Sequence, residues 1–278
     1  MIFKIIFSSI LLTFSVIGIF IIFGLIYNII ENKNLQYINC VFGTKGILIT
    51  GIIGTTVHEL SHYIMCKIFA HRVREVKLFT PNKYKSEGIL GYVYHSYSYK
   101  SIYQNIGNFF IGIAPMILGT VFIGLCFKVL YPDVYTELSN YIMELIKYNR
   151  EYSINRIFLV LEEVLVLFIG MFLSIDNLLN FRFWIFIFIM CSITSHMSLS
   201  SADLKNSRNG IGYIFLLSIV ISLLGYILNI NLKNISRLIL IYNIYIFYFL
   251  FIGIVFSLLS LFIFYLISKV VQIQSRNL

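Results

Sequence analysis

Three titratable side chains lie in the middle of a long apolar stretch, GIIGTTVHELSHYIMCKIFAHR at residues 51–72. They are His58, Glu59 and His62. Residues i and i+4 of a helix share one face, so both imidazoles can ligate one metal ion, for which Zn²⁺ is the usual choice. Glu59 lies about 100° round the helix from His58, where its carboxylate can take a proton from an attacking water. The pattern predicts metal-assisted hydrolysis of a peptide bond, with Glu59 as the base.

A third protein ligand is expected from SITSHMSLSSADLKN, residues 192–206, which contains Asp203 and His196. Both residue types ligate zinc, so ligand chemistry alone does not choose between them. A carboxylate offsets part of the charge of the dication in a low-dielectric site, which two neutral imidazoles cannot do. Asp203 is therefore predicted to be the metal ligand, and His196 to line the cleft as a catalytic hydrogen-bond donor to the developing oxyanion. The other histidines, His71 and His95, are expected to be ordinary surface residues.

The composition requires a bilayer as the solvent for this chain. Of 278 residues, 59% are hydrophobic and only 12% are charged, and the mean hydropathy is +0.88. A soluble domain could not cover its core with so little charge. We therefore predict one all-α polytopic membrane domain over residues 1–278, with a catalytic core at about 47–210. Segments long enough to cross as helices indicate six spans, near 7–30, 47–70, 104–130, 182–200, 210–230 and 237–268. The four cysteines lie far apart, so neither a disulfide framework nor an all-cysteine zinc site is expected.

The net charge of +9 is interpreted as topology and not as nucleic-acid binding, because the basic residues lie in short loops between spans. Seven basic residues follow the second span: Lys67, Arg72, Arg74, Lys77, Lys83, Lys85 and Lys100. This loop and both chain termini are therefore expected to be cytoplasmic, in what we expect to be a prokaryotic cell membrane. A weakly polar stripe predicts that residues 157–175 form an interfacial amphipathic helix before the fourth span. Counting that helix as a span would place Lys205 and Arg208 outside.

The basic loop contains two segments with alternating polarity, VREVKLF and GILGYVYHSYSY, separated by TPNKYKSEG. Their Val and Tyr content favours strands, and the intervening segment favours a turn. We predict a short β-hairpin over residues 73–99, at the cytoplasmic face directly after the histidine helix. The alternative is a simple connector.

The chain resembles the site-2 protease family of intramembrane zinc metalloproteases. The likeness rests on HELSH in a spanning helix, a later Asp-bearing helix end, and GIAP at residues 112–115, and it extends over about residues 47–210. The resemblance implies that His58, His62 and Asp203 hold Zn²⁺ and that Glu59 is the catalytic base. The expected substrate is a membrane-spanning or membrane-bound polypeptide, cut near the cytoplasmic side of the bilayer.

The chain departs from the family pattern at two positions, and its residues also fit one alternative function. The family's aspartate stands in Leu-Asp-Gly, whereas here Asp203 stands between Ala202 and Leu204. The family's asparagine after the third-helix proline is replaced by Leu118, and Asn108 lies two turns before Pro115. The alternative is a non-catalytic metal-binding membrane protein, such as an inactive homologue or a metal transporter. A transporter would be expected to have further ligands along its spans, and apart from His196 few are present.

Overall fold

The computed structural model describes residues 2–147, 154–228 and 233–276, which form ten helices and two strands. In chain order they are α1 (Ile2–Ile68), β1 (Arg72–Lys77), α2 (Pro81–Glu87), β2 (Tyr92–Ser96), α3 (Ile102–Gly112), α4 (Ala114–Leu130), α5 (Pro132–Lys147), α6 (Ile154–Leu173), α7 (Ile175–Leu179), α8 (Phe181–Thr194), α9 (Ser201–Ile227) and α10 (Lys233–Arg276). Helices therefore dominate the described residues, as the composition predicts.

The long helix α1 folds back on itself at Gly43. Gly43 has φ 61° and ψ −154°, a conformation that is essentially restricted to glycine. A Cβ added to Gly46 would lie 2.8 Å from Cγ2 of Ile38, whereas eight residues of straight helix extend about 12 Å. We therefore distinguish a first arm, residues 2–42, from a second arm, residues 44–68. The second arm contains the His-Glu-x-x-His motif.

Among the described residues, three helices are long and apolar enough to cross a bilayer: α1, α9 and residues 237–271 of α10. The pair α3 and α4 passes the same test together, with a bend of 59° between them. Helix α8 is apolar but shorter, because it ends at Thr194 and not near residue 200 as predicted. Large apolar side chains such as Phe14, Leu25 and Leu216 are exposed, as expected of a surface that faces lipid. These features confirm a helical, membrane-associated protein.

The core joins the two arms of α1 to the later helices. Phe127 of α4 contacts the rings of Phe168 in α6, Phe186 in α8 and Phe256 in α10. Tyr27 in the first arm is fully buried and donates its hydroxyl hydrogen to the carbonyl oxygen of Leu250, at 2.9 Å. A buried hydroxyl needs such a partner, so this bond fixes the first arm against α10.

The predicted hairpin is confirmed. Strands β1 and β2 pair antiparallel, with Val73 opposite His95 and Val76 opposite Val93. The predicted turn region contains the short helix α2, which ends at Glu87 and is followed by Gly88 with φ 72°. Three residues separate α1 from β1, so the hairpin is held close to the end of the histidine helix.

The segment predicted to be amphipathic is also helical. It falls largely in α6, followed by α7. Val160, Val164 and Phe168 are buried in the core, while Glu162 and Glu163 are exposed. Its position at the membrane interface stays a prediction.

Candidate metal centre

Side chains from α1 and α9 meet at one point with the spacing of metal ligands. Nε2 of His58 lies 3.1 Å from Nε2 of His62. Asp203 places Oδ1 3.2 Å from Nε2 of His62, and Oδ2 3.6 Å from Nε2 of His58. Ligands at 2.0–2.2 Å from a tetrahedral zinc ion are about 3.3 Å apart from one another. The three residues therefore fit one ion, in agreement with the ligand set expected from the sequence.

The bend between α3 and α4 orients His62. Nδ1 of His62 donates to the carbonyl oxygen of Ile111, at 2.8 Å, so Nε2 presents its lone pair to the ligand group. In a continuous helix this carbonyl would accept from the N–H of residue 115, but Pro115 has none. The helix instead bends between α3 and α4. The proline of the GIAP segment therefore leaves the carbonyl of Ile111, one residue before that segment, available as an acceptor for a candidate ligand.

The non-helical stretch between α8 and α9 orients His58 in the same way. Nδ1 of His58 donates to the main-chain carbonyl oxygen of His196, at 2.7 Å. The second arm and α8 approach closely here, since a Cβ on Gly54 would overlap the carbonyl oxygen of Ser192 and the ring of His196. Glycine at position 54 is therefore needed for this contact.

Asp203 has a second role at the start of α9. Its Oδ2 accepts from both N–H and Oγ–H of Ser200, at 2.9 and 2.7 Å, while the N–H of Asp203 donates to Ser200 Oγ. This reciprocal arrangement is a capping box, which fixes the position of the carboxylate. Close packing of α3 on α9 also holds it, because a Cβ on Gly112 would overlap the carbonyl oxygen of Asp203.

Glu59 and the ligand group open onto a cleft of about 410 Å³. Glu59 is 9% exposed, and a Cβ on Gly91 would lie 2.7 Å from its Cγ. The cleft is also lined by Gly91 and by residues of β2, including Tyr92 to His95. An extended polypeptide lying beside β2 would therefore pass the metal ligands and Glu59.

The ring of His196 does not take the predicted position. It lies outside the ligand group and is not among the residues that line the cleft. Its Nδ1 donates back to the carbonyl oxygen of Ser192, at 3.1 Å, and Nε2 has no hydrogen-bond partner among the described residues. This geometry disfavours a catalytic role for the imidazole. Its carbonyl group is the part that reaches the site.

Glu31 is a functional candidate that the sequence interpretation missed. Its Oε2 accepts from the N–H of Ser198, at 3.1 Å, and so supports the stretch between α8 and α9 that carries the His196 carbonyl. A sequence signal existed, because Glu31 is the only acidic residue before Glu59.

Asn108 is fully buried, and both atoms of its amide lack a partner among the described residues.

His71 and His95 are not ordinary surface residues, contrary to expectation. His71 is 3% exposed and His95 is half-buried. Burial lowers the pKa of His71, and burial together with nearby His71 and His62 lowers the pKa of His95 to about 4. The hairpin folds back over the end of α1, which buries the ring of His71 and covers part of the ring of His95.

No model of a known protein family matches the chain, and no curated protein or solved structure matches it either. The likeness to site-2 proteases therefore stays an expectation drawn from the motifs.

Proposed function

We propose that this chain is an intramembrane zinc metalloprotease that hydrolyses membrane-spanning or membrane-bound polypeptides near the cytoplasmic side of the bilayer. The observation that carries the proposal is the convergence of His58, His62 and Asp203 beside Glu59, in a cleft bordered by a strand. The ligand set has three members, which leaves a fourth position on the ion, as in catalytic zinc sites.

Each residue of the site has a distinct task. Zn²⁺ in this site would act as a Lewis acid on water and on the scissile carbonyl. His58 and His62 present Nε2 to the ion, because their Nδ1–H groups are engaged by main-chain carbonyls. The Asp203 carboxylate reduces the charge of the site. Glu59 takes the proton of the attacking water and passes it to the leaving amine.

The membrane topology forms part of the proposal. The six spans would be the two arms of α1, the bent pair α3–α4, α8, α9 and α10, with α6 at the interface. The reversal at Gly43 supports counting α1 twice. Basic residues after the second arm favour a cytoplasmic hairpin and cytoplasmic termini. Reporters fused after Lys85 and at the C-terminus should then both read cytoplasmic, and a reporter at Tyr141 should read external.

The test of function compares membranes containing the wild-type protein with membranes containing the Glu59→Gln variant. Glutamine keeps the shape but cannot accept the proton, so an uncut polypeptide should accumulate while zinc stays bound. Glu162→Gln, on the exposed face of α6, is the matched control and should behave as wild type. His58→Ala should lose both zinc and cleavage.

The same comparison separates the proposal from its alternative. A non-catalytic metal-binding protein, whether an inactive homologue or a transporter, would bind zinc through His58 and His62. Its membranes would contain no polypeptide whose cleavage depends on Glu59. Identical polypeptide patterns in wild-type and Glu59→Gln membranes would therefore refute the protease even with zinc present.

A further inference from the structure

A second group of metal-ligating side chains lies one helical turn beyond the first. Cys66, His71 and His95 each place a ligand atom within 4.8 Å of the others. Cys66 is at the end of α1, His71 directly precedes β1, and His95 is on β2. The group shares no residue with His58, His62 and Asp203.

The turn after α1 brings His71 back beside Cys66. The N–H of His71 donates to the carbonyl oxygen of Cys66, at 2.8 Å, and the N–H of Ala70 donates to that of Lys67, at 3.2 Å. This is the Schellman pattern, with Ala70 in the left-handed position that glycine usually occupies. Ala70 has φ 54°, which is disfavoured for a residue with a side chain. The fold thus maintains an unfavourable backbone conformation at the residue that sets the position of His71.

Hydrogen bonding gives His71 the tautomer of a ligand. Its Nε2 donates to the carbonyl oxygen of Gln104, at 2.9 Å, so Nδ1 has a free lone pair. That Nδ1 lies 3.0 Å from Nδ1 of His95. Metal-bound histidines commonly engage their second nitrogen in this way. The Gln104 side chain in turn donates to the carbonyl oxygen of Ala70, at 2.7 Å, which supports the same turn.

The surroundings shield most of the group from water, while His95 also borders the cleft. Cys66 has no exposed surface, and the ring of Tyr97 stacks on His71 with a centroid separation of 5.2 Å. The two Nδ1 atoms are already at the spacing of two ligands on one ion, which is about 3.3 Å. Sγ of Cys66 lies within 4.8 Å of both, so a small side-chain rotation closes the set.

We propose that Cys66, His71 and His95 bind a second zinc ion, which fastens the β-hairpin to the end of the histidine helix. One thiolate with two imidazoles is a ligand set that Zn²⁺ accepts, and the Cys66 thiol releases its proton to solvent when the ion binds. The site holds β2, the strand that lines the cleft, in a fixed position relative to Glu59. This proposal does not rest on the protease function, because the two ligand groups are separate.

Two measurements on the full-length protein in detergent test the proposal. The wild-type protein should contain two zinc ions per chain, Cys66→Ser one and His58→Ala one. After replacement of zinc by Co²⁺, a thiolate ligand adds a strong near-ultraviolet charge-transfer band, which nitrogen and oxygen ligands do not give. The band should be present in the wild type and in His58→Ala, and lost in Cys66→Ser.

Further variants cover misfolding and adventitious binding. His95→Asn leaves every cysteine in place and should also lose the band and one zinc ion. Cys40→Ser, at an exposed cysteine of the first arm, should keep both. No charge-transfer band in the wild type, or a band that persists in Cys66→Ser or His95→Asn, would overturn the proposal and leave a hydrogen-bonded histidine pair. One zinc ion with the band would mean that the second site exists and the first does not.

Discussion

His62 donates from Nδ1 to the carbonyl oxygen of Ile111, at 2.8 Å, across a gap of 49 residues in the chain. The carbonyl is available because Pro115, four residues later, lacks the N–H that would take it. A proline in an apolar helix therefore has a direct chemical consequence at the candidate metal centre. It converts a main-chain group of α3 into the partner that fixes the His62 tautomer.

Replacing Pro115 by alanine should weaken metal binding. The new N–H competes for the Ile111 carbonyl, and loss of a partner of this kind typically lowers metal affinity about 10- to 100-fold. Titration of purified protein with a zinc chelator measures the change. Pro132→Ala is the control, because position 132 begins α5, where a backbone N–H has no helical partner. Equal zinc affinity in wild type and Pro115→Ala would show that the bend does not act on His62.

Variants at Asp203 and at His196 should differ clearly in their zinc content. Asp203→Asn keeps an acceptor for the Ser200 cap but lacks the charge, so zinc affinity and cleavage should fall together by at least about tenfold. His196→Ala keeps the carbonyl that orients His58, and its ring lies outside the cleft. Zinc content and cleavage should therefore stay within about twofold of wild type. The opposite pattern would make the His196 imidazole the ligand.

The ligands of the candidate site could be predicted from sequence because their signals are local or chemical. The i, i+4 spacing identifies His58 and His62, and the charge of a zinc ion favours Asp203 over His196. The hairpin follows from the Val and Tyr content of its two segments, although burial along the strands does not alternate strictly and the pairing is irregular between Val73 and Glu75.

The supporting contacts could not be predicted, because they form only when distant segments meet. Glu31 reaches Ser198 across 167 residues of the chain. Every residue has a main-chain carbonyl, so the role of the His196 carbonyl cannot be recognised from the residue type. The sequence therefore suggested the His196 ring, whereas the structure places its backbone at the site. Hydropathy likewise predicted two apolar segments, near 7–30 and 47–70, but not the helical continuity of residues 31–42 between them.

Glu31 should act as a positioning residue for the stretch between α8 and α9. Glu31→Ala removes the carboxyl acceptor of the Ser198 N–H, and a hydrogen bond of this kind contributes about 0.5–1.5 kcal/mol. We expect faster hydrogen exchange at the Ser198 amide and a several-fold loss of zinc affinity. Glu31→Gln keeps an acceptor oxygen and should recover much of both. Glu162→Ala, at an exposed carboxylate, should change neither. Unchanged Ser198 exchange in Glu31→Ala would remove this role.

The free edge of β2 should hold the substrate as an added strand. β2 pairs with β1 on one side, and its residues line the cleft beside Glu59. Successive N–H groups of a strand point to opposite sides, so proline at Val93 and proline at Tyr94 remove bonds on different edges. The variant that loses the N–H on the cleft side should keep the hairpin and its zinc but raise KM about tenfold, the effect of one hydrogen bond. The other variant should disrupt pairing with β1, seen as faster exchange of β1 amides.

Val76→Pro, on the strand away from the cleft, is the control for general damage to the hairpin. The substrate is the polypeptide that accumulates in Glu59→Gln membranes. If both β2 variants retain the hairpin, the zinc and the wild-type KM, the hairpin is a connector and the substrate is held elsewhere.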